Sequence, residues 1–237
     1  MTSINASPVT VPATVVQSRA RLQRLAVLVF PVLLVASDMA VSGVSEGDAE
    51  TYLASVAGHR TGVLVGSILG MAAVLLFAVL AQVISERLAP AMPRLAWYGK
   101  LVAWVGLFAG YAINSYGVVE WAATDSTLSR PEMVRFMDTL QGAALPAIYQ
   151  PGILTPLGFL ALGIGLWRSH VVPTWTAAAL VLAAITFPMG QIGGILPLQI
   201  VCGALFLTAG IGLISTVGSP IARHDHASVS APKAFVH

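Results

Sequence analysis

The chain has 237 residues, of which 57% are hydrophobic and 9% are charged, and its formal net charge is +2. Soluble globular proteins carry roughly 25% charged residues, so a water-soluble domain of this size could not cover so much apolar surface. The small net charge gives no indication of a nucleic-acid partner. The single cysteine, Cys202, excludes an internal disulfide and any cysteine-based metal cluster. The composition therefore predicts one domain whose main partner is the lipid bilayer.

Six segments are apolar over the roughly 20 residues that a helix needs to cross a bilayer. The second and the last contain no charged residue, which favours helices over the alternating strands of a membrane barrel. We therefore predict an all-α, polytopic bundle of about six transmembrane helices over residues 19–217, with a disordered arm at 1–18 and a disordered tail at 218–237. The predicted spans are 25–44, 62–84, 101–119, 140–167, 171–189 and 195–217.

The distribution of lysine and arginine predicts that both termini are cytoplasmic. Basic residues accumulate in short cytoplasmic loops. With the N-terminus inside, nine of them fall on the inner side and only Arg60, Arg130 and Arg135 on the outer side. The alternative is that the basic residues before the first apolar stretch open a signal peptide cleaved near Ala36 or Ala40.

Two outer loops contain helical patterns. In residues 46–59, Tyr52, Leu53 and Val56 have helical spacing, which predicts a short amphipathic helix lying on the bilayer. Further along, Ser129 can cap a helix and Glu132 can reach back to it. The fourth span is therefore predicted to begin as a polar helix outside the membrane.

Two carboxyl groups lie within apolar spans, where an ionisable group is costly and indicates function. Asp38 falls in the outer half of the first span and Glu120 at the outer end of the third. We interpret them as candidate catalytic acids. Ser42, one turn beyond Asp38, is expected to share its hydrogen bonds. The alternative is that both acids face water or bond a neighbouring helix.

The third span carries Tyr111, Asn114 and Ser115 on one face, at spacings of three and four residues. We predict that these groups bind substrate, because lipid cannot satisfy them. Tyr111 and Glu120 lie on opposite sides of a regular helix. The face that carries Tyr111, Asn114 and Ser115 is thus expected to reach the same site as Glu120 only if the helix deforms near Gly117. A purely structural hydrogen bond is the alternative for Asn114.

The fourth span contains three prolines in eleven residues, Pro146, Pro151 and Pro156, which predicts a kinked or broken helix. Tyr149 and Gln150 lie at the break and are predicted to bind substrate as part of a cavity wall. Structural kinking without a ligand is the alternative.

No phosphate-binding loop, dinucleotide-binding glycine pattern or hydrolase motif is present, so we predict no cofactor. His224 and His226 flank Asp225 in the tail, where solvation is a simpler interpretation than a metal site. We predict no metal. Oligomeric state is left open by the sequence.

The layout resembles a group of bacterial multi-pass membrane proteins that contain a domain of unknown function. The resemblance lies in residues 59–66, in 157–168 (LGFLALGIGLWR) and in 172–180 (VPTWTAAAL). It implies a six-helix fold and a place in the bacterial inner membrane, but no activity. In size and intramembrane acids alone, the chain is also similar to small integral-membrane terpene cyclases.

Three functions are compatible with these patterns. The first is an enzyme that uses Asp38 or Glu120 to protonate a lipid or isoprenoid, a hydrophobic small-molecule substrate. The second is a small proton-coupled carrier, for which no internal repeat is found. The third is a structural or regulatory membrane protein without catalysis.

Overall fold

The computed structural model of the protein describes the backbone of residues 13–45, 47–191 and 194–215, with all side chains of these residues except 13–16, 143–146, 148 and 149. Within this part the chain forms nine α-helices and one π-helical turn, and no strand occurs among the described residues. The predicted all-α class is confirmed. The elements in chain order are α1 (Ala13–Val41), α2 (Ala49–Gly58), α3 (Arg60–Leu88), α4 (Pro93–Ala123), α5 (Arg130–Thr139), the π-helical turn (Leu140–Ala144), α6 (Leu145–Gly152), α7 (Leu154–Ser169), α8 (Thr174–Gln191) and α9 (Leu196–Ser215).

Six long helices form a closed ring. Each packs on the next in the order α1, α3, α4, α7, α8 and α9, and α9 returns to α1. The short helices α2 and α5 pack on each other at one end of the ring. We call this the outer end, following the predicted topology, and the opposite end the inner end.

Five of these helices are long and apolar enough to cross a membrane, so the protein is an integral, multi-pass membrane protein. They comprise residues Gln17–Val41, Arg60–Leu88, Pro93–Ala123, Gln150–Ser169 and Leu196–Ser215. The sixth member of the ring, α8, has 18 residues, and its apolar stretch is shorter because Gln191 ends it. The prediction of about six spans is compatible with five membrane-capable helices and a sixth, shorter one in the same ring.

Stacked phenylalanine rings fill the centre of the ring. Phe77 of α3 stacks on Phe30 of α1 and on Phe159 of α7, with centroid distances of 4.6 and 4.3 Å. Phe206 of α9 meets Phe77 edge-on at 4.8 Å. Since aromatic pairs add attraction beyond their buried area, this cluster fixes four helices against one another.

The predicted amphipathic helix is present as α2, but it does not lie on the bilayer. Asp48 is its N-cap and accepts a hydrogen bond from the Thr51 backbone N–H at 2.8 Å. Leu53 and Val56 are fully buried, and Leu53 joins a cluster with Met137 of α5. The apolar face of α2 is thus covered by protein, which makes α2 a cap over the outer end.

The fourth predicted span is broken, as its prolines indicate. It begins as the polar helix α5, passes through the π-helical turn and α6, and resumes as α7 after Ile153. Ser129 occupies the N-cap position of α5, but its side chain makes no capping hydrogen bond, so the predicted reciprocal cap with Glu132 does not form.

The predicted N-terminal arm is partly helical. Residues 13–18, expected to be disordered, form the first turns of α1. Residues 1–12 and the tail at 218–237, including His224 and His226, lie outside the described residues.

Candidate functional site

An outward-facing cavity of about 450 Å³ lies beneath α2 at the outer end of the ring. Its walls come from α1, α2, α3, α4, α8 and the start of α9. Both predicted catalytic acids, Asp38 and Glu120, line it. We call this space the outer cavity. The fold thus brings together two carboxyl groups that are 82 positions apart in the sequence (120 − 38).

Asp38 lies about one turn before the end of α1 and is partly buried. Its Oδ2 accepts a hydrogen bond of 2.7 Å from Nε2 of Gln191, the last residue of α8. Ser42 also lines the cavity, but its hydroxyl donates to the Met39 carbonyl at 2.9 Å. The expectation that Ser42 shares the hydrogen bonds of Asp38 was therefore wrong. Gln191 takes that role instead.

Glu120 lies near the end of α4 and is 9% exposed. Its Oε1 accepts a hydrogen bond of 2.5 Å from the Tyr52 hydroxyl on α2. Glu120 does not face water, because α2 covers it, but the alternative that the acids bond a neighbouring helix describes both Glu120 and Asp38. The bond from Tyr52 joins the cap to the wall of the cavity.

The two acids and Asn114 share the outer cavity without any break in α4. Asn114, Gly117 and Glu120 all line it at intervals of three residues, and α4 is continuous from Pro93 to Ala123. Three residues of a regular helix fall about 60° short of a full turn. These three positions therefore form a strip that rotates gradually around the helix. Asn114 therefore reaches the site of Glu120 without a deformation near Gly117, whereas Tyr111 and Ser115 are not among the lining residues of the cavity in this regular helix.

Asn114 is held in place on both sides. Its Nδ2 donates to the Gly110 carbonyl at 2.8 Å, one turn back on α4. Its side-chain oxygen lies directly against Gly70 of α3, where a Cβ would collide with it. The absence of a side chain at Gly70 therefore makes room for the Asn114 amide.

A second space of about 170 Å³ lies beside the outer cavity, toward the middle of the ring. Asn114, Ile113 and Gln191 line both spaces, and we call these three residues the junction. The deeper space has mainly apolar walls, and we call it the apolar pocket. Its walls include Phe30, Leu34, Phe77, Leu107 and Phe187.

Three other predicted substrate-binding residues, Tyr111, Ser115 and Gln150, are not among the described residues that line either space. Tyr111 is 38% exposed on α4, and the Ser115 hydroxyl donates to the Ala112 carbonyl of its own helix at 2.7 Å. Gln150 is exposed on α6. The side chain of Tyr149 lies outside the described residues. Their proposed roles in binding stay predictions, whereas Asn114 lies at the junction of the cavity and the pocket.

Several charged residues at the outer end of the bundle already have partners. The Arg60 guanidinium lies 3.3 Å from Asp125 and 4.8 Å from the centre of the Trp121 ring. Hydrogen bonds from Thr127, together with Arg60, hold the pKa of Asp125 below its usual value. Hydrogen bonds from Thr51 lower the pKa of Asp48 in the same way. These two acids are therefore ionised at neutral pH.

The sequence did not indicate the hydrogen-bond partners of the two acids, because each partner is far from its acid along the chain. Tyr52 lies 68 positions from Glu120, and Gln191 lies 153 positions from Asp38. The only available signals were the helical spacing around Tyr52 and the polar glutamine at the end of an apolar span. Among the described residues, no group of three metal-ligating side chains of the His, Cys, Asp or Glu type occurs.

Fold and cavity together define an integral membrane helix bundle with an acid-lined, partly apolar cavity at one end. The sequence matches no protein-family model, no curated protein and no solved structure. Function must therefore be argued from the cavity itself.

Proposed function

We propose that this protein is a membrane-embedded enzyme that protonates an isoprenoid or related lipid within these two adjoining spaces. The observation that carries the proposal is their shared wall. A cavity lined by two carboxyl groups lies beside a mainly apolar pocket with aromatic walls, and Ile113, Asn114 and Gln191 line both. Such a shape suits a molecule that is polar at one end and apolar along the rest of its length.

Asp38 is the better placed of the two acids to act on the apolar part of such a molecule. It bonds Gln191, which lines the apolar pocket as well as the outer cavity. Leu34, one turn earlier on α1, is in the wall of the apolar pocket. Glu120 instead bonds Tyr52 of the cap. We therefore assign proton donation to Asp38, and assign to Glu120 the positioning of the polar end.

The chemical step conserves atoms and charge without a further reactant. The O–H bond of the Asp38 carboxylic acid breaks as its proton forms a C–H bond with one carbon of an alkene. Positive charge develops on the other alkene carbon. That cation closes a ring with a second double bond, or rearranges, and finally loses a proton from a neighbouring carbon. Return of this proton to the Asp38 carboxylate regenerates the acid.

The apolar pocket supplies two properties that this step requires. Its mainly apolar walls disfavour water, which would otherwise capture the cation. Both faces of Phe77 are occupied by Phe30 and Phe159, but the Phe187 ring also lines the pocket, and the face of an aromatic ring attracts a cation within about 6 Å. Both properties favour cation chemistry over simple acid hydrolysis in this space.

The test measures hydrogen exchange from solvent into a model isoprenoid. Purified protein in lipid nanodiscs is incubated with farnesol in D2O, and the recovered isoprenoids are analysed by mass spectrometry. Protonation followed by proton loss introduces deuterium into C–H bonds. We expect incorporation with the unaltered protein, its loss in Asp38→Asn, and its reduction in Glu120→Gln.

Matched controls use acids of the same types that lie outside the cavity. Asp138→Asn and Glu132→Gln, on the exposed surface of α5, should leave incorporation unchanged. Full incorporation in both Asp38→Asn and Glu120→Gln would refute the acid mechanism. If the unaltered protein introduces no deuterium but drives pH-dependent uptake into vesicles that Asp38→Asn abolishes, the protein is a carrier. If it does neither, a structural role replaces the proposal.

A further inference from the structure

We infer that the polar end of the ligand is uncharged, such as an alcohol, an epoxide or a ketone, and is not a phosphate or other anion. This inference deepens the proposed function, because it assumes that the same cavity takes an amphipathic ligand. It concerns which isoprenoids or lipids can enter. The charges and hydrogen bonds around the outer cavity carry it.

The described walls of the outer cavity carry acids and no base. Asp38 and Glu120 are the two ionisable carboxyl groups in the wall, and no lysine, arginine or histidine is among its described lining residues. An anion at this place would meet two acids without any compensating cation. Phosphate sites in proteins instead present arginine, lysine or several free backbone N–H groups.

The nearest basic side chains at the outer end have other partners. Arg60 is held by Asp125 and Trp121. Arg130 donates to the Glu50 carbonyl at 3.2 Å, and the His59 ring lies 3.0 Å from the Ser55 carbonyl. The buried Nε of Arg60 has no hydrogen-bond partner in the described part of the chain, but neither Arg60, Arg130 nor His59 is among the described residues that line the outer cavity.

One N–H of each amide in the wall is already in use. Gln191 donates to Asp38, Asn114 to the Gly110 carbonyl, and Gln199 to the Gly190 carbonyl at 3.2 Å. The remaining polar groups of the wall are neutral amides and hydroxyls besides the two carboxyls. The protonated Asp38 acid and these neutral groups hydrogen-bond well to a neutral oxygen, whereas a diphosphate finds no cation here to offset its charge.

The test compares two ligands that share one tail. Farnesol and farnesyl diphosphate are titrated into the protein in phosphatidylcholine nanodiscs, and affinity is read from the ligand-dependent rise in the unfolding midpoint. We expect farnesol to bind roughly tenfold or more tightly than farnesyl diphosphate, because the diphosphate must leave water for a cavity whose described wall holds two acids and no base.

Two sets of variants separate the polar end from the tail. The double variant Asp38→Asn/Glu120→Gln should reduce the preference for farnesol by roughly tenfold, whereas the exposed pair Asp138→Asn/Glu132→Gln should leave it unchanged. Gly110→Leu, which projects a side chain into the apolar pocket, should weaken farnesol binding. Val105→Leu, exposed on the same helix, should not.

Three results would overturn the inference. They are equal or tighter binding of the diphosphate, no binding of farnesol, and a preference that is unaffected by removing both acids. Because the readout is binding, it separates this inference from the proposed function. Preferential farnesol binding without deuterium incorporation would leave the inference standing and remove the catalytic proposal.

Discussion

Removing the Tyr52 hydroxyl should loosen the cap without unfolding the bundle. In Tyr52→Phe the ring stays, but Glu120 loses the donor that lies 2.5 Å from its Oε1. Loss of a hydrogen bond to a buried carboxyl group costs about 1.5–3 kcal/mol. Leu53 and Val56 remain fully buried and contribute about 1.5–3 kcal/mol each, so α2 should stay docked for most of the time.

The cost of the lost bond should appear as more frequent opening of α2. A change of about 1.5–3 kcal/mol alters the opening equilibrium roughly 10- to 150-fold. Amide hydrogen exchange of residues 49–58, followed by mass spectrometry in nanodiscs, should accelerate by a factor in this range. Exchange in the central turns of α3 and α7 should not change, since these turns make no contact with the Tyr52 hydroxyl.

The control is Tyr111→Phe, which makes the same change on the exposed surface of α4. It should leave exchange in α2 unaltered. Leu53→Ala, which empties a fully buried position, should cost about 2–5 kcal/mol and undock the cap more completely. Unchanged exchange of residues 49–58 in Tyr52→Phe, or equal acceleration throughout the bundle, would refute the idea that this bond latches the cap.

Two further predictions concern packing and pH. Gly70→Ala should lower the free energy of unfolding by about 1–3 kcal/mol, because its methyl group would meet the Asn114 amide and the Ser37 hydroxyl oxygen. Gly110→Ala should be tolerated, since its nearest neighbour is Val74 at 3.7 Å, and equal unfolding midpoints of the two variants in detergent would contradict this account. The pKa of Asp48 lies below its ordinary value of 3.8, so its capping of α2 should be complete above that pH and be lost as the pH falls through the lower folded value. Opening of α2, obtained from exchange rates divided by the intrinsic base-catalysed rate at each pH, should therefore increase on acidification. This increase should be smaller in Asp48→Asn, which caps without titrating, and an identical acid response in both proteins would point to other groups.

Sequence reasoning found the fold because bilayer crossing demands long apolar runs, which are visible without any knowledge of packing. It also found Asp38, Glu120 and Asn114, since polar groups stand out against such runs. It located the break in the fourth span because proline removes a backbone donor wherever it occurs. These are local properties of the chain.

The remaining features of the site depend on which helices become neighbours. Helical spacing identified α2, but not that Leu53 would pack on α5 instead of on lipid. It placed Tyr111 and Glu120 on opposite faces correctly, yet it could not show that Asn114 and Gly117 form a continuous strip between them. The apolar pocket beside the outer cavity is lined by aromatic rings from α1, α3 and α8. The spacing of these residues in the sequence does not indicate that they meet.

The hydrogen bond between Asp38 and Gln191 also has a consequence for how the protein is made. Asp38 lies in the first of the described helices, and its partner follows 153 residues later in the chain. At a synthesis rate of about 5–20 residues per second, Gln191 emerges roughly 8–30 seconds after Asp38. During this interval the Asp38 carboxyl lacks its final partner, so the first helix cannot settle into its final surroundings until the fifth member of the ring has been inserted. Assembly of the ring thus ends where its two extremes in the chain, α1 and the α8–α9 pair, come together.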